Sequence, residues 1–332
     1  MVRLQWRSRI DQSIGFLMEA RVRVDSRHAS VKPSYRNPRV RRWASHLWRE
    51  AILKSWHPIA PAFAKPNPSQ WNDRQVTAAW LGHATVLINF FGINILTDPV
   101  LFPRIGIRIP FLFTIGPKRL TAPALTVDEL PRIDIVLLSH AHFDHLDWRT
   151  LSHLDPATKV ITAPRTRDLL NWTRLRDVTE LRWNESKSIP SSAVAIDITA
   201  VPVKHWGARM QTDDYRGYNA YLIERNDRRI LFGGDTAFTE TFTELCARGP
   251  IDLAIFSIAA YNPWIRTHAN PEQAVLMAND VGARFIIPIH HQTFRLSFEP
   301  FREPIERFEA ALRDQPERIA LREIGETFIL PD

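Results

Sequence analysis

The stretch His140-Ala141-His142-Phe143-Asp144-His145-Leu146-Asp147 constrains this chain more than any other. It follows Ile133-Asp134-Ile135-Val136-Leu137-Leu138, an apolar run after Pro131 that reads as a buried strand. The histidines then fall in the loop at the strand's carboxyl end, where sheet proteins place ligands. Imidazole suits zinc, copper, iron and nickel, and a carboxylate adds a harder oxygen donor. In an extended segment His140 and His142 project to one side and can share an ion, while Asp144 and His145 can face a second. A merely solvated loop has no reason to concentrate so many ligand-type side chains.

His140-x-His142-x-Asp144-His145 resembles the signature of metallo-β-lactamase-fold hydrolases. The flanking text narrows the likeness. Trp80-Leu81-Gly82-His83-Ala84-Thr85, Ile95-Leu96-Thr97-Asp98-Pro99 and Gly116-Pro117-Lys118-Arg119-Leu120 resemble the N-acylphosphatidylethanolamine phospholipase D-like branch. The likeness runs from roughly Gln75 to Asp332. It implies an α/β fold, an αββα sandwich of two mixed β-sheets flanked by helices, with one or two metals between the halves.

Residues 1–75 are expected to form a basic extension ahead of a hydrolase domain at 76–332. Of the formal net charge of +7, Met1–His57 carries +9, from thirteen Lys/Arg against four Asp/Glu, so the remainder is −2. Trp6, Ile10, Ile14, Leu17 and Met18, and again Trp43, Leu47, Trp48, Ile52 and Leu53, recur at helical spacing among arginines. Such helices suit anionic lipid surfaces, but they can equally pack their apolar stripes on the main domain. Nucleic-acid docking is the third and least favoured reading. Pro58, Pro61, Pro66 and Pro68 then mark an irregular connector. Lone Cys246 excludes an internal disulfide framework, no apolar run is long enough to span a bilayer, and no signal peptide is visible. These features predict a cytoplasmic protein, peripheral on the inner face of a membrane if the terminus binds lipid. A homodimer is compatible with all of this.

From Val76 the periodicity predicts strands over Val76–Leu81, Thr85–Phe90 and Ile93–Thr97, with a tight turn at Phe91-Gly92. Further strands are expected at Lys159–Ala163, Val194–Val203, Tyr218–Ile223, Arg229–Gly233, Ile251–Ala260, Phe285–Ile289 and Glu326–Leu330. Helices are expected over Asp147–Leu154, Arg165–Trp172, Thr236–Leu245, from Pro271, and over Glu303–Arg313. Leu101–Ile115 is apolar and reads as loop packing or a wall over a site. Lys118 and Arg119 read as phosphate contacts or a solvated basic turn.

The family resemblance assigns roles at the strand ends. His140, His142 and His205 would hold a first metal, Asp144, His145 and His290 a second, and Asp235 would bridge them. Asp235 could also cap the helix expected at Thr236–Leu245, and Gly233-Gly234 would let backbone approach a ligand. His290, rather than His291, matches the family's last ligand. Asp98 would orient the metal loop or simply start the Asp98-Pro99 turn, Asp147 reads as holding a ligand histidine in its binding tautomer, and His83 reads as an outer or structural histidine. Asp144 and His268 are the catalytic candidates, with His268 facing a substrate phosphate or else serving as a helix-capping or surface histidine; Tyr261 and Trp264 read as pocket walls. Two Zn2+ are the expected cofactors, with Mn2+ or Fe2+ as alternatives.

Paired cations lower the pKa of a water held between them and neutralise a transferring phosphoryl group. The leading expectation is therefore a zinc phosphodiesterase of phospholipase D type, acting on a lipid like N-acylphosphatidylethanolamine. Hydrolysis of a sugar-phosphate or other lactone is the alternative, and a non-catalytic docking protein the third.

Overall fold

A computed structural model describes residues 42, 45, 56–109, 114–191, 194–210, 212–247 and 249–332. The two basic amphipathic stretches of the terminus fall almost wholly outside the described residues. Strands β1 (Val76–Gly82), β2 (Thr85–Phe90), β3 (Asn94–Thr97), β4 (Ile107–Arg108), β5 (Thr114–Ile115), β6 (Ile135–Leu138), β7 (Lys159–Thr162) and β8 (Val178–Glu180) occupy the first half. The second half holds β9 (Ser186–Ile189), β10 (Ile196–Val201), β11 (Ala220–Arg225), β12 (Arg228–Phe232), β13 (Leu253–Ser257) and β14 (Phe285–Ile289), and β15 (Thr327–Ile329) closes the chain. Among the described residues from Trp56 onward the α-helices are α1 (Trp148–His153), α2 (Thr243–Cys246), α3 (Tyr261–Trp264), α4 (Pro271–Asp280) and α5 (Glu303–Ala311).

The strands form two large mixed sheets. One runs β15-β1-β2-β3-β6-β7-β8, the other β14-β13-β12-β11-β10-β9, and β4 with β5 makes a separate ribbon. Each sheet is half antiparallel meander and half parallel: β3, β6, β7 and β8 are parallel neighbours, as are β12, β13 and β14. The same plan is thus used twice, with β15 returning to the edge of the first sheet beside β1.

Period-two alternation decides which side chains face which layer. Ile223, Ile230, Phe232, Leu253, Ile255, Ile287 and Ile289 of the second sheet join one core with Leu87, Ile95, Val136 and Leu138 of the first. Their neighbours Leu222, Leu231, Ala254, Phe256 and Ile286 point the other way, onto Ala274, Met277 and Ala278 of α4 and Ile305 and Phe308 of α5. Parallel strands covered on both faces must be apolar throughout, which is why β6, β13 and β14 read as continuous runs rather than alternating ones.

Several expected elements are trimmed or changed. Arg167–Trp172 is a 3-10 helix rather than an α-helix. The helix expected over Thr236–Leu245 is a single turn, α2, so Asp235 caps nothing. Strands β8 and β9 are too short, and β9 too exposed, to register as apolar periodicity. The proline-rich connector lies along the sheet-bearing unit: Ala60 donates to the Leu120 carbonyl and Ala64 to that of Ile324. Among the described residues no helix is long and apolar enough to cross a membrane.

Candidate functional site

The chemistry-bearing residues collect at the carboxyl ends of strands from both sheets. The 139–147 loop leaves β6, Asp98 follows β3, and His83 follows β1; His205 lies beyond β10, Asp235 beyond β12 and His290 directly after β14. Backbone bonds tie the halves together at this edge: Asn219 N–H donates to the Ser139 carbonyl, and His290 N–H to that of His83, both at 2.9 Å. The buried Tyr221 hydroxyl donates to the Leu138 carbonyl at 2.9 Å.

Outer partners fix which ring nitrogen faces inward. Asp98, fully buried, accepts from the Ser139 amide and hydroxyl and from His145 Nδ1. Because the Ser139 hydroxyl is spent on Asp98, its oxygen accepts from His140 Nδ1 at 2.8 Å. His205 Nδ1 donates to the Thr267 carbonyl at 2.9 Å. With each Nδ1 committed outward, Nε2 of His140, His145 and His205 points to the centre.

Two groups of donor atoms result. In the first, His140 Nε2 is 2.7 Å from His142 Nδ1, and His205 Nε2 is 3.2 and 3.4 Å from them. In the second, Asp235 Oδ2 is 3.0 Å from His145 Nε2 and 3.3 Å from His290 Nε2. Asp144 Oδ2 lies 3.4 Å from His290 Nε2 and 3.6 Å from His145 Nε2. Asp235 Oδ2 is also 3.9 Å from His205 Nε2, so one carboxylate lies between the groups. Bonds of ~2.0–2.1 Å to a tetrahedral ion put ligand atoms ~3.3 Å apart, close to these separations. His145 Nε2, both ring nitrogens of His290 and Asp235 Oδ1 are buried without a hydrogen-bond partner among the described residues. Buried polar atoms are rarely left so. The donor set and its spacing fit divalent cations.

Electrostatics agrees with neutral rings in the first group. Burial, then the neighbouring histidines, hold His140 and His142 well below the ordinary imidazole range. Burial lowers His205 to about 4 against the pull of Asp235. In the second group burial also opposes charge, but carboxylates outweigh it: Asp235, Asp144 and Asp98 raise His145 well above its usual value, and His290 rises to about 9.

The remaining candidates surround these two groups. His83 is buried beside the second group, its Nε2 3.0 Å from Asp144 Oδ2 and its ring 4.0 Å from that of His290. It belongs with Asp144, His145 and His290 in one set of ligand atoms within 4.8 Å of each other, a closeness its distance in sequence concealed. Asp147 holds no histidine; it caps α1 through Thr150 and pairs with Arg149 at 3.1 Å, while Asp98 fixes the ring of His145. Arg119 is fully buried under Phe294 and donates to the Val100 carbonyl, so it is no solvated turn, and half-buried Lys118 donates to the His57 carbonyl. Gly233 and Gly234 leave room for protein, not ligand: a Cβ at Gly234, with φ +56°, would stand 2.7 Å from Ser139 Cβ. Tyr261 bonds Glu303 at 2.6 Å. His291 turns from the cluster to the Pro288 carbonyl and the face of Trp80. His268 is buried with Nδ1 3.7 Å from Asp235 Oδ2, and burial lowers it to about 3.

The Beta-lactamase superfamily domain matches residues 93–291. N-acyl-phosphatidylethanolamine-hydrolyzing phospholipase D 1 of Caenorhabditis elegans is 34% identical over 245 residues, covering 68% of this chain and 67% of that protein. The mitochondrial enzyme of that name from Saccharomyces cerevisiae is 31% identical over 241 residues, 69% of this chain and 50% of its own length. An uncharacterized protein of Mycobacterium tuberculosis is 34% identical over 274 residues, 80% of this chain and 71% of that one. Among solved structures, a metallo hydrolase of Ignicoccus hospitalis shares the fold at a TM-score of 0.58 and 17% identity, covering 78% of this chain and 99% of that one. The chain belongs to the β-lactamase superfamily, as a metal-dependent hydrolase of the metallo-β-lactamase fold in the branch that resembles N-acylphosphatidylethanolamine phospholipase D.

Proposed function

We propose that this protein is a dinuclear zinc phosphodiesterase of phospholipase D type, acting on N-acylphosphatidylethanolamine-like lipids. The observation that carries the reading is the pair of donor sets joined by Asp235. His140, His142 and His205 would hold one cation and Asp144, His145 and His290 the other, with the Asp235 carboxylate lying between the two sets. Bound cations supply Lewis acidity, activating water and offsetting charge on phosphoryl oxygens. Water adds to phosphorus, the bond to the ethanolamine oxygen breaks, and the proton passes to that oxygen. The products are an N-acylethanolamine and a phosphatidic acid.

The chain's own part is preorganisation. Asp98, Ser139 and Thr267 hold ring orientations before substrate arrives, which removes reorganisation from the reaction. Asp144 is both donor and catalytic residue, and His268, beside Asp235, offers an N–H to a phosphate oxygen. The substrate assignment is supported by the names of the nematode and yeast relatives. Incubating metal-loaded protein with a synthetic N-acylphosphatidylethanolamine in mixed micelles tests it. Release of N-acylethanolamine is expected; turnover confined to soluble lactones would replace this reading with the lactonase one.

A further inference from the structure

Arg209 stands four residues after His205 and is almost fully buried. Its Nη1 donates to the carbonyls of Ala141 and Leu146, each at 2.9 Å. Those carbonyls flank His142, Asp144 and His145, so one guanidinium grips both shoulders of the loop. The cation is also enclosed by aromatic faces, 4.0 Å from the Phe143 centroid and 4.5 Å from that of Trp148. No carboxylate bonds Arg209 among the described residues; its partners are loop carbonyls and rings.

We infer that Arg209 is a positioning residue, locking the 139–147 loop of the first half to the His205 loop of the second, so that both halves present their donors in one geometry. The inference rests on the metal reading above. Donors drawn from two sheets need registration to well under an ångström, and rigid supporting contacts supply it. A planar, delocalised guanidinium can bond two carbonyls while stacking on two rings; an ammonium cannot match both, so lysine is not a conservative replacement here. A purely structural arginine would lower stability on replacement and leave metal affinity in the folded protein untouched.

The test uses full-length protein loaded with cobalt(II), whose visible absorption reports ligand geometry. Wild type, Arg209→Lys and Arg209→Met are compared for melting in chelator, cobalt affinity, absorption and steady-state turnover. Folded variants are expected to bind cobalt about 10–100-fold more weakly, as for other supports of metal ligands, with an altered band and a loss in kcat rather than KM. Wild-type affinity and spectrum in a folded variant overturn the inference. If both variants fail to fold, Phe143→Leu decides: it removes one stacking ring and keeps both carbonyl bonds. Weaker cobalt binding supports the clamp, and unchanged binding overturns it. Wild type that binds no cobalt fails the metal reading itself, a separate outcome.

Discussion

Asp98 shows how much one buried carboxylate can organise. It fixes His145 directly and His140 through the Ser139 hydroxyl, so one residue orients a donor in each group. Asp147, in the same neighbourhood and of the same type, caps a helix and pairs with Arg149 instead. The two make opposite predictions. Asp98→Asn should weaken retention of both metals, about 10–100-fold by chelator competition. Asp147→Ala should cost about 1 kcal/mol of stability in chemical denaturation and leave metal content unchanged. At this scale the sequence was legible wherever several donors share a loop. His83 was not, because its partners Asp144 and His290 meet it only through the fold.

At the level of elements, strand ends are the organising device. Parallel strands send every carboxyl end to one edge of the sheet, and the repeated plan brings two such edges together. Gly234 marks where they touch: it needs a left-handed φ of +56° and has no room for a Cβ against Ser139. Gly234→Ala should therefore destabilise the protein by about 1–3 kcal/mol in denaturant titration and lower metal affinity as well, since Asp235 follows it and Ser139 supports His140. An Ala variant with wild-type stability would show that this contact is slack. The continuous apolar runs β6, β13 and β14 were visible in sequence because burial on both faces demands them. Strands β8 and β9 and the single-turn α2 were not, since short elements are stabilised by their neighbours rather than by their own periodicity.

For the whole molecule, metal-free protein should be sensitive to acid. Burial, the largest cause in each case, holds His83, His268 and His291 near 3 and His205 near 4, against about 6.5 when unfolded. Below that value the unfolded chain takes up protons that the folded chain refuses. Stability must then fall as pH drops from about 6.5 toward 4, by at most about 1.4 kcal/mol per pH unit for each such ring. His290, raised to about 9 by the carboxylates, acts oppositely: its contribution is full below about 6.5 and is lost as pH rises through about 9. Melting in chelator should peak near neutrality and fall on both sides; a flat profile from pH 4 to 9 would contradict these environments.

The two-sheet plan and the gathering of both donor groups were foreshadowed by motifs at strand ends. The tie between the halves through Arg209 was not, because a lone arginine in a loop carries no periodic signal. Two donor groups joined by Asp235 would hold one cation each. Elemental analysis of protein purified without added chelator, set against protein concentration by quantitative amino-acid analysis, tests it most directly. Two divalent metal ions per chain are expected, zinc foremost, falling to about one in His290→Ala. One ion or none in the wild type, or two retained in His290→Ala, would contradict it.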